Sequence, residues 1–215
     1  MTVQNELTAF FDPYPMVKVK KGELILQPDL YISHIFYLVN GYVRMYKLLA
    51  SGKELTITIF KPRSFFPLFL AIDAGANTYY FESFTESIVK QVPVDDVLGF
   101  VNHNQEVLLD FTRRTSRGMQ GILENLQYQL FGTVTQRTIA TLVMLAGRFG
   151  QLKENKVHIE LPISHQDIAN FVGVARETIS IEMNNLQKRG LVSSAYKHIT
   201  ISNLQSLTNI RDGIE

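Results

Sequence analysis

Apolar and polar residues alternate in short runs over the first hundred positions of this chain, and then the period changes. Val17-Lys18-Val19 alternates, Lys21-Gly22 supplies a turn, and Leu24-Ile25-Leu26 follows. Such runs, bounded by turn residues, predict strands. Residues 35–39 form a continuous β-branched and aromatic run ended by Asn40-Gly41, a dipeptide that signals a hairpin because it accepts positive φ. Residues 42–49 continue as a strand, Ser51-Gly52 turns the chain, and residues 55–60 alternate again. Residues 79–84 and 87–92 predict two more strands. Many short strands at this spacing predict a sandwich or small barrel.

After Pro93 the pattern is helical. Asp95 or Asp96 is placed to cap a short helix running to His103. The longest helix is predicted over residues 105–131. Its apolar or small positions are Leu109, Thr112, Ser116, Met119, Leu123, Leu126 and Leu130, a seam with steps of three and four residues. Two readings of the seam stand: a parallel pairing between two chains, or packing on the chain's own β-domain. Thr112 and Ser116 weaken its first half, so a pairing contact would be tightest from Met119 onward. Gly132-Thr133 ends the helix, which divides the chain into residues 1–132 and 133–215. Another helix is expected over 136–149, with Gly150 at its end.

The most informative stretch is residues 161–192. Ser164 followed by Asp167 is a capping-box arrangement, and Ile168, Ala169 and Val172 give the helix after it a buried face. Gly173 permits a sharp turn, and the small Ala169 lets two helices pack closely. The second helix is expected over about residues 175–189. Ile179, Met183 and Leu186 share its inner face, and Arg176, Glu177, Ser180 and Asn184 share the opposite one. Arginine can take guanine O6 and N7 together and glutamate can accept from cytosine N4, so this face suits a major groove. Gly190 closes the helix. Leu191-Val192 and Ile199-Thr200-Ile201 can pair as a wing with Lys197 or His198 at its tip, within reach of phosphate.

Composition narrows the classes. The chain has 215 residues, 46% of them hydrophobic and 19% charged, enough for one large or two small cores. With no cysteine, disulfides, thiolate zinc sites and Cys-ligated iron–sulfur clusters are excluded. Net charge is +1, so bulk electrostatics do not argue for nucleic acid. Residues 1–134 hold 12 Lys/Arg against 13 Asp/Glu and residues 135–215 hold 9 against 7, the right sign for a DNA-binding C-terminal part but too small to decide. No apolar run reaches membrane-spanning length, and the opening MTVQNELTAFF lacks the plan of a signal peptide, so a cytoplasmic protein without membrane partners is expected.

The segment resembles the helix-turn-helix of the Crp–Fnr family, the cyclic-AMP receptor protein and its relatives, through Gln166-Asp167-Ile168-Ala169, Val172-Gly173 and Arg176-Glu177-Thr178-Ile179-Ser180. The similarity extends over nearly the whole chain. It implies an α+β fold: an N-terminal β jelly roll of the cyclic-nucleotide-binding type, a long dimerisation helix and a C-terminal winged helix-turn-helix. It further implies a transcription regulator, not an enzyme, that binds double-stranded DNA as a homodimer on a two-fold operator, with RNA polymerase as a partner. Arg176 and Glu177 carry over as base readers. His165 and Gln166 stand where the family touches the backbone or a flanking base, and Ser164, Ser180, Asn184 and Lys197 complete the expected DNA-binding set. Leu109, Met119, Leu123, Leu126 and Leu130 would form the dimer interface. One departure is Ile181, where many relatives carry an arginine. It either touches a thymine methyl or packs inward, and packing is the favoured reading. Glu182 follows where an apolar residue is usual.

The resemblance also bears on what the first domain senses. Cyclic-nucleotide-binding members carry a Gly-Glu pair followed by Arg-Ser. This chain has Pro62-Arg63-Ser64-Phe65-Phe66-Pro67 and Tyr79-Tyr80-Phe81-Glu82-Ser83 in that region, and Ile122-Leu123 where those members carry Thr-Ser. No cyclic-AMP response is therefore expected. The five histidines (34, 103, 158, 165 and 198) are scattered, which argues against haem or a metal, and no cofactor is expected. Phe65, Phe66, Phe69 and Tyr80 either line a pocket for a small apolar effector or fill the core in place of one, and the filled core is favoured. Two other classes compete with the regulator: a cupin-like enzyme with an appended helical domain, and a protein-interaction module on the same scaffold.

Overall fold

The computed structural model describes residues 3–73 and 75–214. The chain forms two compact units, Met1–Ser116 and Arg117–Glu215.

In the first unit, α1 (Val3–Phe11) precedes β1 (Met16–Val19), β2 (Leu24–Leu26), β3 (His34–Asn40), β4 (Val43–Leu48), β5 (Glu54–Phe60) and β6 (Phe65–Phe66). There follow α2 (Leu68–Asp73), β7 (Tyr80–Ser83), β8 (Ser87–Pro93), α3 (Val94–His103) and the start of α4 (Gln105–Phe131). The strands make two antiparallel sheets, ordered β1-β8-β3-β6 and β2-β7-β4-β5. They form the jelly roll. Val19, Phe36, Leu38, Phe66 and Val89 of one sheet pack against Val43, Met45 and Phe81 of the other. The first sheet is covered again on its far side, where Ile35, Tyr37 and Val92 meet Leu7 and Phe11 of α1, Val97 and Val101 of α3, and Val107 of α4. Strand β3 is thus buried on both faces, which is why residues 35–39 read as an unbroken apolar run instead of alternating.

Several expectations change here. Asn40-Gly41 does not make a hairpin: β3 pairs with β8 and β6, while β4 pairs with β5 and β7. The dipeptide instead carries the chain from one sheet to the other. Gly41 has φ +86°, and a Cβ there would overlap the Ser87 side chain and stand 2.5 Å from the Glu86 carbonyl oxygen. A turn dipeptide encodes the positive φ, not the strand that lies beyond it. β1 and β2 likewise join different sheets across the Lys21-Gly22 turn. Asp95 and Asp96 do not cap α3, whose N-cap is Pro93; they sit within its first turn, where carboxylates complement the helix dipole, and Asp96 accepts from Tyr14 Oη at 3.0 Å. The sequence reading missed α1 and α2.

The second unit continues α4 and adds α5 (Val134–Phe149), β9 (Gly150–Lys153), β10 (Lys156–Ile159), α6 (His165–Val172), α7 (Arg176–Lys188), β11 (Val192–Ala195), β12 (His198–Ile201) and α8 (Leu204–Asp212). α5 starts two residues earlier than expected because Thr133 caps it, in a reciprocal box with Gln136. The hairpin β9–β10 and helix α8 were also unforeseen. β10 pairs with β12, so the wing is half of a four-stranded sheet ordered β11-β12-β10-β9. α8 is held by Tyr128 Oη donating to Asp212 at 2.6 Å and Gln136 Nε2 donating to the Arg211 carbonyl at 3.1 Å.

Candidate nucleic-acid interface

The helix-turn-helix is built from its caps inward. Ser164 accepts from the Asp167 amide at 3.2 Å, and the Asp167 carboxylate accepts from the Ser164 amide at 2.8 Å, so α6 opens on the expected capping box. It ends at Gly173, which adopts φ 76° and ψ 29° and returns its amide to the Ala169 carbonyl at 2.8 Å. Ile168, Ala169 and Val172 of α6 and Ile179, Met183 and Leu186 of α7 are buried to 1% exposure or less. That contact fixes α7 and turns its other face outward.

Arg176, Glu177 and Asn184 stand exposed on that face, as does Gln166 at the start of α6, where its Nε2 donates to Asn170. Ser164, His165 and Ser180 are half-buried and already engaged. The Ser180 hydroxyl donates to the Arg176 carbonyl at 3.0 Å and lies 3.0 Å from His165 Nδ1. Burial first, and the Arg176 guanidinium second, hold the His165 imidazole below its ordinary pKa. Ile181 does not pack inward: it is 61% exposed, because its position on α7 falls outside the stripe set by Ile179, Met183 and Leu186. Glu182 is half-buried, with Thr135 Oγ1 donating to its carboxylate at 2.8 Å.

The wing turn is tighter than expected. Its tip is Tyr196-Lys197, both at positive φ, and His198 lies on β12 opposite Ala195. Lys197 is therefore the tip cation. Its carbonyl accepts from the Ile163 amide at 2.9 Å, which holds the wing beside the start of α6. Between them is an open cleft of about 400 Å³ lined by Ser164, His165, Gln166, Arg176, Ser194 and Lys197. Ser194 was not singled out by the sequence pattern, in which residues 193–198 connect the two wing strands.

The apolar seam residues of α4 are exposed in the single chain. Leu109, Met119, Leu123, Leu126 and Leu130 are 41–64% exposed, and Val107 is the buried residue of the helix.

The structure does not bring the four proposed effector-pocket residues together. Phe66 is fully buried in the core, stacked against Phe36, Phe60 and Phe81 at 4.9–5.8 Å. Phe65 faces the other way, toward Phe11 and Phe111; Phe69 is exposed; Tyr80 stacks on Tyr46 at 5.1 Å. The phenyl rings of Phe36, Phe60, Phe66 and Phe81 pack between the sheets, and Arg63 is exposed. Arg44 is buried, but it alternates with the core residues Val43 and Met45 and so lies on the outer face of its sheet. There it donates to Glu54 at 2.8 Å and Glu82 at 3.3 Å and stacks over Tyr46. Asn77, 1% exposed, spends its amide on the Gln27 and Tyr79 backbones. Among the described residues no group of three or more His, Asp or Glu could hold a metal, and no helix is long and apolar enough to cross a membrane.

Comparison with known proteins agrees with this geometry. Residues 136–210 match the profile of the Crp-like helix-turn-helix domain, and residues 16–104 match that of the cyclic nucleotide-binding domain. The chain belongs to the Crp–Fnr family of transcription regulators. This Crp–Fnr regulator is 24% identical to the global nitrogen regulator of Synechococcus elongatus, over 97% of its own length and 95% of the relative's. It is also 24% identical to a CRP-like cAMP-activated global transcriptional regulator of Mycobacterium tuberculosis, covering 81% and 78% of the two chains. Among solved structures, a CooA mutant from Carboxydothermus hydrogenoformans shares the fold at a TM-score of 0.81 and 17% identity, over 98% of this chain and 96% of that one. The Crp–Fnr regulator is thus a DNA-binding protein by its helix-turn-helix and not an enzyme.

Proposed function

We propose that this regulator binds a two-fold DNA operator as a homodimer and does so without cyclic AMP. The observation that carries the reading is the outward face of α7: Arg176, Glu177 and Asn184 stand exposed on it, and Arg176 lines the cleft together with Gln166 and Lys197. Arg176 and Glu177 read base edges, Asn184 contacts the duplex further along α7, and Gln166 and Lys197 hold phosphates. Ser164 contributes through the capped start of α6, and Ser180 through the residues it orients. Ile181, exposed on the same helix, offers an apolar surface to a thymine methyl group. The DNA-binding domain begins at Thr133, the cap of α5.

Dimerisation rests on the exposed seam of α4. The second half of the 27-residue α4 carries an exposed stripe of Met119, Leu123, Leu126 and Leu130, and a second copy presents the same stripe. Independence from cyclic AMP rests on the aromatic core and on the commitment of Asn77 and Arg44 to internal contacts. The filled core makes the protein competent for DNA without a small effector, and RNA polymerase is its expected partner in the cytoplasm.

Selection of bound duplexes from a random library by the purified full chain tests the reading. The expected product is a palindromic motif recovered without additives. A motif without symmetry, or none, refutes it. Calorimetry with cyclic AMP is expected to show no binding, and micromolar binding would overturn that part alone.

A further inference from the structure

His165 sits at the mouth of the cleft with one ring nitrogen already assigned. The Ser180 hydroxyl has a single hydrogen, and it is directed at the Arg176 carbonyl. Toward His165 Nδ1, 3.0 Å away, Ser180 Oγ can then only accept, so Nδ1 carries the proton. The relay runs in one direction, from the imidazole to the hydroxyl to the backbone carbonyl. Nε2 is left as the nitrogen that gains or loses the titrating proton.

The neighbours of this ring come from three elements. At the start of α6 are the N-cap Ser164 and Gln166, which line the cleft, and Asp167, bound to Ser164 in the capping box. On α7 are Arg176 and Ser180, and Glu177 follows Arg176 in the first turn. On the wing are Ser194 and Lys197. The cations Arg176 and Lys197 line the cleft itself, while the Asp167 carboxylate is committed to the cap. This setting disfavours an imidazolium in the free protein, and an arriving phosphate would reverse the balance by adding negative charge where Nε2 is open.

We propose that His165 is a proton-coupled phosphate contact, neutral in the free protein and protonated at Nε2 on the DNA, with Ser180 as the positioning residue that holds its ring. The inference rests on the reading of this face as the DNA interface. By linkage, a site that takes up a full proton on binding gains up to about tenfold in affinity for each unit the pH falls, between the free and bound pKa values. Two such sites act in a dimer.

The test uses the full chain and a duplex of the sequence recovered by library selection. Affinity is measured by fluorescence anisotropy from pH 5.5 to 8.5 at constant ionic strength, for wild type and His165→Gln. The other four histidines remain in both proteins, so the difference in slope belongs to His165. Wild type is expected to bind several-fold more tightly per unit of acidification, and His165→Gln to bind with a much flatter profile. Calorimetry in two buffers of different ionisation enthalpy should show about one proton taken up per protomer by wild type and none by the variant. Nitrogen NMR should show the Nδ1–H form in the free protein, lost in Ser180→Ala and retained in Ser180→Thr. Equal slopes in wild type and His165→Gln, with both still binding the duplex, overturn the proton coupling and leave the DNA reading intact. A chain that selects no duplex at any pH overturns both.

Discussion

Leu123→Ala tests the pairing of two α4 helices directly. Leu123 is 58% exposed in the single chain and lies mid-seam, between Met119 and Leu126. Fully burying a leucine is worth about 1.5–3 kcal/mol, so covering the exposed fraction contributes on the order of 1–1.5 kcal/mol. A two-fold interface loses that twice, about 2–3 kcal/mol per dimer, which raises the dimer dissociation constant about 30- to 150-fold. Sedimentation velocity over a dilution series reads this shift. Gly121→Ala is the control. It falls on the opposite side of the heptad, and its added Cβ meets no atom within 4 Å. It should strengthen the helix by about 0.5–1 kcal/mol and leave the dimer constant alone. A Leu123→Ala protein whose dimer constant moves less than about threefold would refute the pairing, since the exposed stripe would then contribute nothing to association. A dimer weakened by Gly121→Ala would refute the assignment of faces.

The remaining predictions concern other parts of the molecule. Arg176→Ala should cost about 1–3 kcal/mol of specific DNA affinity per half-site and relax the base preference at one position, as read by competition against non-specific duplex; unchanged specificity would favour the interaction-module reading. Gly41→Ala combines a positive φ with overlap against the Glu86 and Ser87 backbone, so it should cost about 3 kcal/mol or more, and an unchanged urea midpoint for the β-domain would contradict the corner geometry. In the absence of DNA, the depressed pKa of His165 means that the unfolded chain takes a proton the fold resists. Stability is then present above about pH 6.5 and lost as pH falls through the folded pKa, so wild type should lose melting temperature on acidification faster than His165→Gln.

What could be read from the sequence followed from where the physics is local. The Ser164–Asp167 box, the left-handed Gly173 and the buried triad Ile179, Met183 and Leu186 are set by residues within one or two helical turns, and all three formed as expected. The partner of β3 was not local. Asn40-Gly41 announces a reversal, but the pairing of β3 with β8 depends on residues about fifty positions later. Helix α1 was hidden because its apolar face is short, and its packing partners Tyr37, Val97 and Val101 are distant in sequence. Ile181 misled for the opposite reason. An isoleucine suggests burial by its type, yet the helix period had already filled the inner face, and geometry prevailed over composition.

The place of β8 in the first sheet also sets an order of events during synthesis. Strand β8 lies between β1 and β3, pairing Met16 with Lys90 and His34 with Pro93. It is the last of the eight jelly-roll strands to leave the ribosome. Until it does, β1 and β3 each present an open edge, and α3 and α4, which cover the far side of β3 together with α1, have not yet emerged. The helix-turn-helix and wing draw their partners from nearer in the chain, since β12 pairs with β11 and β10 while α6 and α7 pack on each other and on α5. The first half of the nascent chain therefore carries the greater exposure to aggregation and to chaperone capture. Weakening changes in β8 should lower the yield of soluble protein while leaving the operator affinity of the molecules that do fold unchanged.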